Sequence, residues 1–286
     1  VRPNIVVIPN DKLSMRNFKI NKVHDFWNSE SCGERYALGN SVAKKFSNEK
    51  INRYKIEPYI KKLANFTEFK DKDVLEIGVG YGCDHSQIAR QKPKSLTGID
   101  LTKRAILNTK LRFKILGLKS SLKIGNAEKL SYKDKTFDAV YSWGVLHHSP
   151  NTKKCFDEVY RVLRPGGVAK IMIYHKHSPV GWMLWMKYGF LKFKPFKSLT
   201  SIYAEYLESS GTKAYTIREA HELTELFPKK EIRVQLSFAD LLSGNVGVRH
   251  SGFFINLFKV IYPKLLVKII ANFFPIGLYL FIKVKK

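Results

Sequence analysis

The sequence predicts an α/β protein built on a doubly wound, mostly parallel sheet of seven strands, and three observations carry that expectation. From Asp73 onward, short β-branched runs alternate with helical patterns about ten to fifteen residues long, the signature of repeated βα units. The first apolar run ends in Gly78, Gly80 and Gly82, spaced for a tight strand-to-helix turn. The chain of 286 residues, 44% hydrophobic, can bury the full core of one elaborated domain.

Residues 1–69 read as an N-terminal extension and helical cap. Val1 is no initiator, and the first 14 residues lack the basic and apolar regions of a secretory signal, so a start at Met15 with an upstream extension is expected. Within 54–66, Tyr54, Ile56, Tyr59, Ile60 and Leu63 recur at helical spacing. The core follows over 70–177, continues over 213–240, and closes with a last strand in 277–286. Strands are expected at 73–77, 95–99, 122–125, 139–143, 168–174, 231–238 and 277–284.

Helices fit between them. Thr102 caps one whose apolar positions Ile106, Leu107, Leu111 and Ile115 lead to Gly117. Asn151 or Thr152 opens a second, with Phe156, Val159, Tyr160 and Leu163 buried and Pro165, Gly166 and Gly167 as its stop. A third starts at Thr216, where Glu219 completes a capping box. Two insertions break the alternation. Residues 178–212 are rich in Trp182, Trp185, Met183, Met186 and phenylalanine, interleaved with lysine and free of acids until Glu205, and are expected to form a lid. Residues 241–276 are apolar and basic, and no Asp or Glu follows Asp240.

Fifty Lys and Arg against 24 Asp and Glu give a net charge of +26, a field that attracts phosphates, nucleic acid or an anionic membrane surface. Cys32, Cys83 and Cys155 have no CxxC spacing, which fits a reducing, cytoplasmic setting, and Cys83 and Cys155 read as packing residues. The longest charge-free apolar run, 269–282, has 14 residues interrupted by Pro275. That falls short of the roughly 20 needed to span a bilayer, so no transmembrane segment is expected.

The chemistry concentrates in four blocks: VLEIGVGYG at 74–82, GIDLT at 98–102, GNAEKLSYKDKTFDAVYSWGVLHH at 125–148, and EVYRVLRPGGVAKIMIY at 158–174. The third glycine of a GxGxxG dinucleotide turn would fall on Cys83, which argues against a nicotinamide or flavin. Asp100, ending the second strand, is placed to accept hydrogen bonds from ribose hydroxyls. With all four blocks in order, the chain resembles the class I S-adenosylmethionine-dependent methyltransferases, in the style of the ubiquinone and menaquinone biosynthesis group. The resemblance implies a Rossmann-like sheet with an antiparallel last strand and S-adenosyl-L-methionine as cofactor. It implies that Gly78, Gly80 and Gly82 form the cofactor loop, Glu76 orients the methionine end, and Asp100 with adjoining Leu101 meets the ribose. Asn126, Ala127 and Glu128 then read the adenine edge, with Asn126 where the family usually has Asp. Ser142 and Trp143 fall beside the transferred methyl.

A general base is required only if the acceptor must lose a proton. His147, His148, His175 and His177 all lie near the carboxyl edge of the sheet, and His148 and His175 are the candidates for that role. His175 and His177 share a strand face but lack a third ligand, so no metal is expected. His24, Trp27 and Arg35 are placed to close the pocket from the cap or simply to pack within it. A small, amphiphilic or lipid-linked acceptor is expected, at a protein peripheral to the inner face of a membrane. The stretch 253–270 supports this by setting Lys259, Lys264 and Lys268 among apolar residues, with Pro263 as a bend. Alternatives are a nucleic-acid methyltransferase, or a sugar or natural-product O- or N-methyltransferase without membrane contact. SWGVLHH, with no Pro-Pro pair to grip an extruded base, speaks against nucleic acid. The intact glycine turn and Asp100 speak against a scaffold without activity.

Overall fold

Strands β1 (Asp73–Ile77), β2 (Ser95–Asp100), β3 (Ser121–Ile124), β4 (Phe137–Trp143), β5 (Leu163–Tyr174), β6 (Lys229–Gln235) and β7 (Tyr279–Lys285) form one sheet in the order β3-β2-β1-β4-β5-β7-β6. Only β7 runs against its neighbours β5 and β6. This computed structural model describes residues 12–243 and 262–286, with burial from residue 19 onward. Residues 1–11 of the expected extension, and 244–261 of the basic insertion with the first half of the 253–270 stretch, lie outside the described residues.

Side-chain alternation divides the core in two. Val74, Tyr141, Trp143, Met172 and Phe281 face one layer, and Leu75, Val140, Ile171 and Ile282 face the other. The first layer is closed by the cap helices α2 (Val42–Ile56) and α3 (Tyr59–Ala64), then by α4 (Cys83–Arg90), α5 (Lys103–Leu116), α7 (Pro179–Tyr188) and α8 (Leu199–Tyr206), while α1 (Lys12–Ser29) packs on α5. The second is closed by α6 (Thr152–Val162) and α9 (Ile217–Leu223). The expected caps form: Thr102 accepts from Ala105 N–H, Asn151 from Lys154 N–H, and Thr216 and Glu219 make a reciprocal capping box.

Three expectations change. The amphipathic stretch 54–66 is not one helix, because Pro58, which lacks an N–H, separates α2 from α3. Strand β5 begins at Leu163 rather than Val168, and a register shift absorbs the proline and glycines meant to stop the preceding helix. On α5 the buried face is Ala105, Ile106, Thr109, Arg112 and Phe113, while Leu107, Leu111 and Ile115 are exposed. The α5 face is set by Arg112, whose guanidinium pairs with Glu49 of the cap at 2.7 Å and donates to the carbonyls of Tyr81 and Phe46.

Candidate active site

The carboxyl edge of β1 and β2 builds the first wall. Gly78 leaves β1 with φ 83°, and a Cβ there would lie 2.2 Å from Val145 Cγ2, so only glycine lets the turn press against the loop after β4. The turn is pinned by Asp100, whose Oδ2 accepts from Gly80 N–H at 3.1 Å. Its Oδ1 accepts from the backbone and hydroxyl of Thr102, each at 2.9 Å, which also fixes the start of α5. Burial raises the Asp100 pKa, and these donors offset part of the rise. Beyond β3, Asn126 Oδ1 accepts from Glu128 N–H at 2.8 Å, and Glu128 in turn holds Asn151 N–H and the Ser149 hydroxyl.

A second wall is a histidine cluster under the cap. His147 and His148 sit in a short 3-10 turn, Leu146–His148, directly after β4. His148 Nδ1 lies 2.9 Å from Ser209 Oγ and 3.1 Å from Thr212 Oγ1, while Nε2 stands 3.4 Å from a carboxylate oxygen of Glu208. Tyr174 donates its hydroxyl to Glu208 at 2.8 Å. Burial works to raise the Glu208 pKa, but His148 and the Tyr174 hydroxyl outweigh it and hold the carboxyl below its ordinary value. The Trp27 ring of α1 meets His148 edge-on at 5.2 Å. One ligand atom from each of His147, His148 and Glu208 lies within 4.8 Å of the others.

One cavity, partly open to solvent, runs along the first wall and reaches the histidine cluster at His148, with Glu208, Ser209 and Thr212 behind that ring and outside the lining. Of the expected site residues, Glu76, Gly78, Gly80, Asp100, Leu101, Asn126, Ala127, Glu128, Trp143 and His148 line it. Gly82 instead caps α4 with φ 80° and packs against Thr109. Two others are corrected. Ser142 is fully buried and donates its hydroxyl to Ile77 O at 3.0 Å, tying β4 to β1 rather than facing the cavity. His175 is also buried, its Nδ1 3.1 Å from Gly277 O, and burial lowers its pKa to about 4. It braces β5 against the start of β7, away from the lining.

No side chain of 178–212 lines the cavity, so the expected lid is not its roof. That role falls to Ile20, Val23 and Trp27 of α1. Glu208 is the member of the histidine cluster that sequence reading misses. Lying 60 positions from His148, it carries no motif, and the only signal is that it is the second acid after a long acid-free stretch.

S-adenosylmethionine fits these walls on two observations. The indole N–H of Trp143 is buried in the lining without a hydrogen-bond partner, the kind of unmet donor that a ligand satisfies. The Glu76 carboxyl, the glycine turn, Asp100 and the Asn126 loop also line the cavity together, the sites expected for the methionine, ribose and adenine parts. Glu76 is held well above the ordinary carboxylate pKa, first by burial and then by Asp84 and Asp100.

Comparison with known proteins agrees with this geometry. Residues 75–171 match the family described as "Methyltransferase domain". The chain is 38% identical over 120 residues to the fatty-acid O-methyltransferase of Mycolicibacterium smegmatis, covering 42% of this chain and 43% of that protein. It is 35% identical over 122 residues to a phthiotriol/phenolphthiotriol dimycocerosates methyltransferase of Mycobacterium tuberculosis, covering 42% of this chain and 44% of that one. The match thus spans less than half the length of either relative. Among solved structures, an S-adenosylmethionine-dependent methyltransferase from Mesorhizobium loti superposes with a TM-score of 0.52 at 14% identity, over 77% of this chain and 93% of that one, which supports the fold. Residues 75–171 are thus similar to a methyltransferase domain, and they sit in a seven-stranded sheet with the fold of the S-adenosylmethionine-dependent methyltransferases.

Proposed function

We propose that this protein transfers a methyl group from S-adenosylmethionine to an oxygen of a small, amphiphilic, lipid-like acceptor. One observation carries the reading: a single cavity unites the cofactor walls, an apolar roof of Ile20, Val23 and Trp27, and a histidine backed by a carboxylate. The cofactor brings an electrophilic sulfonium methyl, so the protein must align a nucleophile and keep water away. Trp143 and Val145 form the dry floor, and Trp27 closes over His148. An acceptor hydroxyl placed at His148 gives up its proton to Nε2, whereas an acceptor carboxylate is already ionised and needs only to be aligned. That proton then lies between the ring and Glu208, whose depressed pKa keeps it charged to stabilise the imidazolium. Ser209 and Thr212 fix the ring from Nδ1. The names of the two mycobacterial relatives, which cite a fatty acid and phthiotriol dimycocerosates, support a lipid class of acceptor.

The test is methyl incorporation, followed by mass spectrometry, when the purified protein and cofactor meet fatty acids, hydroxylated lipids, water-soluble phenols or RNA. Incorporation is expected only into the lipid-like oxygens. His148→Ala and Glu208→Gln should lower kcat on hydroxylated lipids by about 10²–10⁴-fold with KM little changed. Exclusive methylation of RNA, or full turnover of hydroxylated lipids by His148→Ala, would remove this reading.

A further inference from the structure

We infer that one corner of the sheet's carboxyl edge is a docking surface for an anionic lipid membrane. This deepens the lipid-acceptor reading, on which it rests only for its purpose, by naming the phase from which the acceptor is drawn. Two elements make the corner. The first is helix α10 (Lys264–Phe273), which among the described residues buries none of its side chains. Leu265, Leu266, Ile269, Ile270 and Phe273 recur at helical spacing on one face and are all exposed, Leu265 by 73% and Phe273 by 78%. Lys264, Lys268 and Asn272 occupy the opposite face. The second is the turn between α7 and α8, where Phe190 and Leu191 are exposed, Phe193 is 95% exposed and Phe196 fully so, with exposed Lys192 and Lys194 among them.

Both elements hang from one anchor. Asp240 is wholly buried and accepts from Val180 N–H in the first turn of α7 at 3.2 Å. It also accepts from Ser237 N–H at 2.8 Å and from Leu278 N–H, where the chain enters β7 after α10, at 2.7 Å. Tyr262, just before α10, donates its hydroxyl to the Asp240 carbonyl at 2.8 Å. One carboxylate thus fastens the roots of both apolar elements beside the end of β5, on the edge that carries the cavity.

The charge pattern selects the occupant. No acid follows Asp240, and none lies between Tyr174 and Glu205, so the charges nearest in sequence to both apolar elements are basic, with Glu205 of α8 taken up by Lys197. A second copy of the chain would bring an equally cationic face and be repelled. An anionic bilayer surface accepts the lysines at its phosphates and the phenylalanines and leucines beneath them. Protruding single rings, rather than a groove, suit a fluid surface better than a shaped protein partner.

The experiment is flotation of the full chain, without acceptor or cofactor, on vesicles of phosphatidylcholine with and without phosphatidylglycerol. It is paired with quenching of tryptophan fluorescence by brominated lipid, Trp182 on α7 being exposed. Binding should require the anionic lipid and weaken with salt. Phe193→Ser with Phe196→Ser, and separately Leu265→Ser with Phe273→Ser, should each lower partitioning by about tenfold or more. All four positions are exposed, so both variants should keep the wild-type melting temperature. Three results would overturn the inference: equal binding by both variants, an oligomer in solution that Leu265→Ser dissociates, or RNA binding that the phenylalanine variants abolish. Because no acceptor is present, failure here with intact methylation of dispersed lipid would reject the membrane surface alone. Vesicle binding without any lipid methylation would reject the acceptor reading alone.

Discussion

His147 is wholly buried, with its ring 4.0 Å from that of Tyr174, and neither of its ring nitrogens has a hydrogen-bond partner. Burial first, and then His148 and Lys213, hold its pKa well below the ordinary imidazole value. The unfolded chain therefore takes up this proton near pH 6.5 while the folded chain does not, so the stability is whole above that pH and is lost as pH falls. Replacing His147 by Leu removes the penalty. Whatever its packing cost, the variant should gain about 2 kcal/mol relative to wild type between pH 7.5 and pH 5. Urea denaturation at the two pH values measures this, and an unchanged offset would mean that His147 has a partner such as a metal ion. The two adjacent histidines were visible in the sequence as a pair at the right edge. Their division into a buried ring and a cavity-facing one was not, because it depends on Glu208, Ser209 and Thr212 folding back over His148. The resemblance likewise placed Ser142 near the site, and the carboxyl edge placed His175 there, but neither could show that Ile77 O and Gly277 O had already claimed them.

At the scale of elements, the cap is fastened to the sheet by buried charge. Arg53 of α2 meets Asp84 of α4 at 2.7 Å, and the hydroxyls of Tyr54 and Tyr141 donate to the same carboxylate. Burial alone would raise the Asp84 pKa, but Arg53 and the two tyrosines outweigh it and hold it below its ordinary value. Asp84→Asn should destabilise the fold by about 2–4 kcal/mol, since it leaves the buried Arg53 guanidinium only the longer 3.5 Å pairing with Glu57, as read from the urea midpoint. Pairing Arg53→Met with Asp84→Leu should recover much of that loss, and a double variant no better than Asp84→Asn would show that the pair is not what holds the cap. Helices of the core were legible from their caps, whereas the cap read only as helical and its one spaced stretch, 54–66, is divided at Pro58. The pairing was not legible, because Arg53 and Asp84 are joined by topology and each alone reads as a solvated charge. The aromatic 178–212 stretch shows the same limit. Composition marked it as an insertion, but the lining comes from α1, and α7 and α8 pack on each other and on the core.

Over the whole molecule, the order of strands and the closing antiparallel β7 follow the four blocks, because a doubly wound sheet leaves its ligand crevice at one edge. The net charge of +26 is a property of another kind, carried by no motif and by no single element. Its field extends beyond any one contact and acts on what approaches the cavity. A fatty-acid carboxylate should therefore be steered in, while an uncharged lipid alcohol should not. Raising salt from about 20 mM to about 0.5 M should lower kcat/KM for an anionic acceptor by about tenfold, through association, and leave kcat nearly unchanged. For a neutral acceptor of equal chain length, kcat/KM should change by less than about twofold. Dispersed acceptors below their micellar concentration, with no membrane present, separate this effect from docking. Equal salt dependence for both acceptors would place the charge outside the approach to the cavity, and an anionic substrate would lose its electrostatic rationale.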